Sequence, residues 1–144
     1  MLDENKEKLK QEIWENFVEF QHVFLATVDD DQPRVRPVTL IHLLDKLFVA
    51  TGSGDAKVRQ IRQNPKAEFC LLLEKGEEKG TVRMECLAKI VTDKGVKARL
   101  YEKVPFLKEF WKTPEDPSYA LISLEPIGFE YLKPGTIESV KVRF

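Results

Sequence analysis

The sequence predicts a mainly β fold, a small barrel of six or seven strands with a few flanking helices. Most of its apolar segments are short and rich in β-branched and aromatic residues, as strands are. Most connections between them hold only a few residues, too few for the crossovers that join parallel strands. A length of 144 residues is that of one domain, predicted to span 1–144.

The first half of the chain is predicted to form a helix and then a meander of three strands. Apolar residues four and five positions apart, such as Leu9, Ile13, Trp14 and Phe17, predict an amphipathic helix over 3–21. Residues 1–21 would then precede a barrel formed by 22–144. Turn-forming residues separate three segments of strand composition, which are HVFLATVD (22–29), RVRPVTLIHLL (34–44) and LFVAT (47–51).

The second half continues the sheet, with helices inserted between strands. A Gly-Ser-Gly loop leads into a short helix that Asp55 can cap and that Asn64-Pro65 ends. A helical stretch opens at Asp93 and continues over 104–111 after a break at Pro105. Four more segments have strand composition, at 67–74, 80–92, 119–126 and 127–133, and a terminal piece follows around TIESVKVRF.

Composition excludes several classes of partner. Lys plus Arg is 23 and Asp plus Glu is 24, so the net charge is -1. Binding to nucleic acid or to an anionic membrane surface depends on excess positive charge, so we expect neither partner. The apolar fraction of 42% is enough for a buried core.

Cysteine usage and the chain's N-terminal segment predict a cytoplasmic protein without a metal site. Cys70 and Cys86 lack CxxC spacing, and with His22 and His42 they are too few for a plausible zinc site. Charges interrupt the apolar residues of the N-terminal segment, so we expect no signal peptide. No apolar run approaches the roughly 20 residues of a membrane-spanning helix.

The first candidate site is the basic strand segment Arg34-Val35-Arg36-Pro37-Val38. Alternate residues of a strand share a face, so Arg34 and Arg36 point the same way and attract an anion. Pro37 removes one backbone donor, so the strand is expected to meet an edge, a bulge or a ligand there. The alternative is a solvated face whose arginines pair with carboxylates.

The second candidate site is the segment from Thr51 to Arg59, where a strand ends and a helix begins. Loop amides, the hydroxyls of Thr51 and Ser53, and a helix N-terminus all suit a phosphate, and Lys57 adds a positive charge. The order of a P-loop is absent. The alternative is an ordinary strand-to-helix turn, and the negative charge of Asp55 counts in its favour.

The two segments belong to successive antiparallel strands, so Arg36 and Thr51 are expected to lie close together. We therefore expect Arg34, Arg36 and Lys57 to converge on one phosphorylated small molecule.

The order of these motifs resembles that of the flavin-binding split-barrel family related to pyridoxamine 5′-phosphate oxidase. The resemblance covers roughly residues 20–133 and rests on PRVRPV, LFVATGSGDAKVRQI, NPKAEF, VRMECLAKIV and LISLEPIGFEYL. It implies a six-stranded antiparallel Greek-key split barrel. It also implies a homodimer with FMN in each of two clefts at the subunit interface.

The resemblance assigns site residues by their place in the motifs. Arg36, Pro37 and Val38 correspond to the strand that lies against the flavin, with the arginine on the phosphate or ribityl side. Further correspondences are the hydroxyls of Thr51 and Ser53, the phosphate-binding Lys57, the flavin-contacting Thr81 and, in the partner subunit's cleft, Trp111. No catalytic residue is assigned, because the cofactor itself carries the redox chemistry.

Two departures from the family pattern bear on activity. Cys86 replaces a glycine that many relatives carry, and the substrate-binding C-terminal extension of the true oxidases is lacking, so oxidation of pyridoxamine phosphate is not expected. We expect an FMN-dependent oxidoreductase with an unknown small-molecule substrate and a nicotinamide cofactor, NAD(P)H, as a candidate electron donor. The alternatives are a non-enzymatic carrier or electron-transfer module that binds FMN, FAD, a deazaflavin or haem, and an interaction domain with a vestigial cleft.

Overall fold

The computed structural model describes residues 2–144, with side chains from residue 5 onward. It contains four helices and seven strands within these residues. The helices are α1 (Leu2–Trp14), α2 (Ala56–Gln63), α3 (Lys94–Lys103) and α4 (Leu107–Phe110). The strands are β1 (Phe20–Asp29), β2 (Gln32–Leu43), β3 (Lys46–Gly52), β4 (Lys66–Lys75), β5 (Glu78–Ile90), β6 (Tyr119–Leu132) and β7 (Val140–Arg143).

The strands form one antiparallel sheet that closes on itself. Their order is β3-β2-β1-β4-β5-β6-β7, and β3 also pairs with β6, so β1 to β6 complete a ring of six strands. Strand β4 returns to lie beside β1 after the β1-β2-β3 meander, which is the Greek-key arrangement. The predicted fold class, a six-stranded antiparallel split barrel with flanking helices, is confirmed. The short strand β7 adds to the edge of β6 outside the ring.

Strand β6 is a single strand where the sequence predicts two. Its first half pairs with β3, from Tyr119 to Leu124, and its second half pairs with β7, from Gly128 to Tyr131. The register against β5 shifts between Glu85 and Cys86, which face Gly128 and Pro126, so Ile127 is an extra residue. Such a bulge bends a strand without ending it, and the Pro-Ile-Gly sequence marks this bend and not a turn.

Helix α1 ends earlier than the sequence predicts. The apolar spacing continues to residue 21, but the helix ends at Trp14 and the next residues form a turn, in which the Phe17 amide bonds to the Trp14 carbonyl at 3.0 Å. From Phe20 onward, the backbone pairs with β2 as part of β1, with Phe20 opposite Ile41. Pairing in the sheet therefore takes the backbone groups that a longer helix would have used.

A second apolar core outside the barrel holds α3 and α4 in place. One core fills the barrel interior, and the other packs the two helices on the outer side of β2, β3 and β6 through residues such as Phe48, Leu107 and Leu121. Asp93 caps α3 as predicted, because its carboxylate accepts hydrogen bonds from the amides of Gly95 at 2.8 Å and Val96 at 3.1 Å. Only one turn of helix, α4, forms within the predicted 104–111 stretch, after the break at Pro105.

Among the described helices, none is long and apolar enough to cross a membrane.

Candidate functional site

A cleft opens where β2 and β3 diverge. Strand β3 pairs with β2 only near their connecting turn, from Ile41–Leu43 to Lys46–Phe48, and continues with β6 as its partner. Over the described chain, Pro37–Thr39 of β2 pair with β1 alone, so one edge of β2 faces the cleft. Of the edge, bulge or ligand that the sequence predicts at Pro37, the structure shows an edge, where a proline is tolerated because it has no N–H to pair.

The cleft has a volume of about 340 Å³ and walls from three parts of the chain. They are β2, the end of β3 with the loop that follows, and the segment around α4. The lining residues are Pro37, Val38, Thr39, Val49, Ala50, Thr51, Gly52, Asp55, Lys57, Phe106, Leu107, Phe110 and Trp111. Cavities of about 600 and 380 Å³ lie beside α1 and β7, but neither contains a residue from the two candidate motifs. We place the site in the cleft because Thr51 and Lys57 of the second motif line it together with aromatic side chains on the opposite wall.

Thr51, Asp55 and Lys57 form a hydrogen-bonded group at one end of the cleft. The Lys57 ammonium donates to the Thr51 hydroxyl at 2.7 Å and to the Asp55 carboxylate at 3.2 Å. The Thr51 hydroxyl in turn donates to the same oxygen of Asp55. Hydrogen bonds from Thr51 and then Lys57 lower the pKa of Asp55, so the carboxylate stays ionised below its ordinary range.

Asp55 occupies the N-cap position of α2, as the sequence predicts, but its side chain caps nothing. Its carboxylate makes no hydrogen bond to the first-turn amides of the helix and bonds instead to Thr51 and Lys57. The predicted side-chain cap is therefore wrong. The ammonium of Lys57 attracts the carboxylate through its own positive charge, which the neutral amides of the helix lack.

Ser53 does not line the cleft. Its side chain is exposed in the loop after β3, and its amide donates to the Ser118 carbonyl at 2.8 Å. This bond ties the loop to the segment that leads into β6, so Ser53 helps to hold the loop in place. Its predicted contact with a cofactor stays a prediction.

The opposite wall is aromatic and is formed by the segment around α4. Trp111 is buried against Tyr119, with ring centroids 5.0 Å apart, and its carbonyl accepts a hydrogen bond from the Tyr101 hydroxyl at 2.7 Å. Phe110 beside it is 69% exposed. Trp111 therefore lines the cleft of its own chain, and its predicted contact with the partner subunit's cleft stays a prediction.

Arg36 points away from the cleft. Its guanidinium donates to the Leu25 carbonyl at 3.1 Å and to the Gln60 side-chain carbonyl at 3.0 Å. The same Gln60 oxygen accepts a bond from the Thr27 hydroxyl at 2.6 Å, and both Thr27 and Gln60 are buried. Burial lowers the pKa of Arg36. The expected convergence of Arg36 with Lys57 is thus not found within one chain, and Arg34, which is exposed, lines the cleft no more than Arg36 does.

Replacing Gln60 with leucine is expected to destabilise the fold by about 1–3 kcal/mol, because Thr27 and Arg36 lose their shared acceptor in a buried place. Urea unfolding measures the change, and Gln63→Leu on the exposed end of the same helix is the matched control. Equal stability of the two variants would contradict a structural role for Gln60.

Thr81 lies apart from the other predicted site residues. It pairs with Leu72 of β4 and Leu132 of β6, and it lines a separate cavity with these neighbours. Within one chain the structure therefore brings together Pro37, Val38, Thr51, Lys57 and Trp111, and it leaves out Arg36, Ser53 and Thr81. The described residues contain no group of three or more metal-ligating side chains.

The sequence does not predict that Phe110 lies exposed on the cleft wall or that Gln60 binds Arg36. Phe110 belongs to a run of aromatic residues at helical spacing, a pattern that predicts core or dimer packing, and it lies exposed on the cleft wall. In the sequence, Gln60 is one polar residue of a short amphipathic helix, and nothing marks it as special. Its role as a buried hydrogen-bond acceptor is visible only in the structure, where it lies beside Thr27.

Comparison with known proteins identifies the family. The family model of pyridoxamine 5′-phosphate oxidase matches residues 9–133. None of the curated proteins matches the sequence.

Solved structures share the fold over most of the chain. General stress protein 26 from Bacillus anthracis str. Sterne is 29% identical, with 96% of this chain and 98% of that chain covered and a TM-score of 0.69. A NimC/NimA family protein from Clostridium acetobutylicum is 23% identical, with 95% and 91% covered and a TM-score of 0.73. HutZ, the haem storage protein from Vibrio cholerae, is 20% identical, with 82% and 89% covered and a TM-score of 0.62.

The split barrel, the order of its motifs and the family match over residues 9–133 agree with one another. The chain belongs to the pyridoxamine 5′-phosphate oxidase family.

Proposed function

We propose that this chain binds FMN in the cleft and acts as an FMN-dependent oxidoreductase on a small molecule. The observation that carries the proposal is the pairing of Thr51 with Lys57 at one end of a cleft whose other wall is aromatic. An ammonium and a hydroxyl suit a phosphate. Apolar walls with a few placed polar groups suit a flat ring system.

Different residues of the cleft fit different parts of FMN. Thr51 and Lys57 would hold the phosphate, and Trp111 and Val38 would contact the ring system. The edge of β2 at Pro37–Thr39 would offer backbone groups to the ring's polar atoms, because this edge is not paired with β3. FMN, once bound, supplies the hydride chemistry, and the chain supplies binding and orientation. NAD(P)H is the electron donor that we propose.

The outer face of β2, β1 and β4 supports a homodimer. Val35 is 68% exposed and Leu72 is 61% exposed, and Phe24, paired with Pro37 and Cys70, lies exposed on the same sheet. Apolar side chains exposed together mark contact surfaces. Pro37 is also part of the cleft, so a second subunit on this face would border the cleft. We propose that the second subunit's Thr81, which pairs with the exposed Leu72, lies close to it.

Replacing Val35 with aspartate is expected to convert a dimer into a monomer, because the charge would be buried at the interface without a partner. Analytical ultracentrifugation of both forms measures the mass. The control is Ile137→Asp, since Ile137 is 97% exposed in the loop before β7. A monomeric parent protein, or a V35D variant that stays dimeric, would contradict this interface.

Haem binding is the second candidate, because HutZ, named a haem storage protein, has the same fold. The cleft favours FMN over haem. Its lining, among the residues described, contains no histidine, cysteine, methionine or tyrosine, the side chains that ligate haem iron. We also propose a cytoplasmic location, in which Cys70 and Cys86 stay reduced; both are free cysteines in the structure.

Titrating the purified protein with FMN and, separately, with haemin tests these assignments. Saturable FMN binding, followed by measurable oxidation of NAD(P)H by the loaded protein, would support the oxidoreductase. FMN binding without such oxidation would favour a carrier. Preferential haemin binding would overturn the FMN assignment, and binding of neither ligand would leave an interaction domain.

A further inference from the structure

We propose that the Asp55 carboxylate is an internal occupant of the anion site and that a phosphate must displace it to bind. The inference rests on the proposed function and adds a residue that sets the affinity and selectivity of the same site. Its basis is the geometry of Asp55, Thr51 and Lys57.

The donors that suit a phosphate are already in use. The Lys57 ammonium and the Thr51 hydroxyl both donate to one oxygen of Asp55. A carboxylate and a phosphate are both anionic acceptors, so they compete for the same ammonium and hydroxyl. The Asp55 carboxylate also lies over Gly52, where a β-carbon on the glycine would be 3.5 Å from the nearer oxygen. The carboxylate therefore fills the space between the loop and the two donors.

The side chains of Thr51 and Lys57 are held in place by burial, whereas the Asp55 side chain is free to change its conformation. The side chain of Lys57 is 14% exposed and Thr51 is buried, but the side chain of Asp55 is 52% exposed. A change of one side-chain rotamer would carry the Asp55 carboxylate out of the group without moving the strand or the helix.

A displaced Asp55 has a second set of partners nearby. It holds the N-cap position of α2, and its carboxylate leaves the first-turn amides of this helix without a side-chain cap. Aspartate at this position normally accepts from those amides. The carboxylate thus has two positions available to it. In the first it occupies the anion site, and in the second it caps the helix. A phosphate that binds to Thr51 and Lys57 shifts the carboxylate to the second position.

The test compares the parent protein with Asp55→Asn, which keeps the shape of the side chain and removes its charge. We expect the variant to bind FMN about tenfold more tightly, because a like charge within a few ångströms of the phosphate is removed. Riboflavin, which lacks the phosphate, is expected to bind both proteins equally. Glu77→Gln, in the exposed turn between β4 and β5, controls for net charge.

Inorganic phosphate supplies a readout that needs no flavin. In amide NMR spectra, phosphate is expected to shift the signals of Gly52 and Ala56 at about tenfold lower concentration in the variant. Equal FMN affinity of the two proteins would overturn the role of Asp55 and leave the proposed function standing. Equal tightening for FMN and riboflavin would overturn it as well. Failure of both proteins to bind FMN and phosphate would remove the proposed function and this inference together.

Discussion

Replacing Lys57 with methionine is expected to weaken FMN binding by about 10- to 100-fold, which corresponds to a charged hydrogen bond to the phosphate. Lys57 is the basic side chain that the structure places in the cleft, and its ammonium is held 2.7 Å from the Thr51 hydroxyl. Its loss would also leave the Asp55 carboxylate near the phosphate without a neutralising charge. Fluorescence quenching of FMN measures the dissociation constant.

The matched control for Lys57 is Lys66→Met at the exposed start of β4, which removes the same charge outside the cleft. Riboflavin provides a second control, because its affinity should change little in Lys57→Met. If both lysine variants bound FMN as the parent does, Lys57 would not hold the phosphate.

Replacing Gly80 with alanine is expected to destabilise the fold by about 3 kcal/mol, because the added carbon has no room. Gly80 is buried near the start of β5, where a β-carbon would collide with the Leu132 carbonyl oxygen and lie 2.8 Å from the Pro134 ring. The neighbouring atom is backbone, so relief requires β5 and β6 to separate. Urea unfolding measures the loss.

Gly54→Ala is the comparison for Gly80, since a β-carbon at Gly54 would meet no atom within 4 Å. We expect this variant to stay within about 0.5 kcal/mol of the parent. Similar stabilities of the two alanine variants would show that the strand ends can relax around residue 80.

Much of the fold follows from local patterns. The strands alternate between buried and exposed residues, as in β5, where Val82, Met84 and Cys86 are buried and the residues between them are exposed. This alternation has a period of two and is visible in the sequence. The end of α1 and the continuity of β6 were predicted wrongly, because pairing with distant strands and a one-residue bulge decide them.

The predicted site residues also divide into those that local sequence brings together and those that distant contacts place. Thr51, Asp55 and Lys57 lie within seven consecutive residues, so a strand end followed directly by a helix start brings them close together. The sequence by itself therefore determined the fold class, the family and the polar end of the cleft.

Only the tertiary structure decided which way Arg36 points and what closes the cleft. Gln60 attracts the guanidinium of Arg36 from 24 positions away, and Trp111 reaches the cleft because the outer core holds α4 against β2 and β3. Because such contacts form between surfaces that meet only in the folded chain, no local sequence pattern predicts them. Asp55 combines both cases, because its place at the helix start is local, whereas its bonding to Thr51 and Lys57 and not to the helix amides is decided by side-chain geometry.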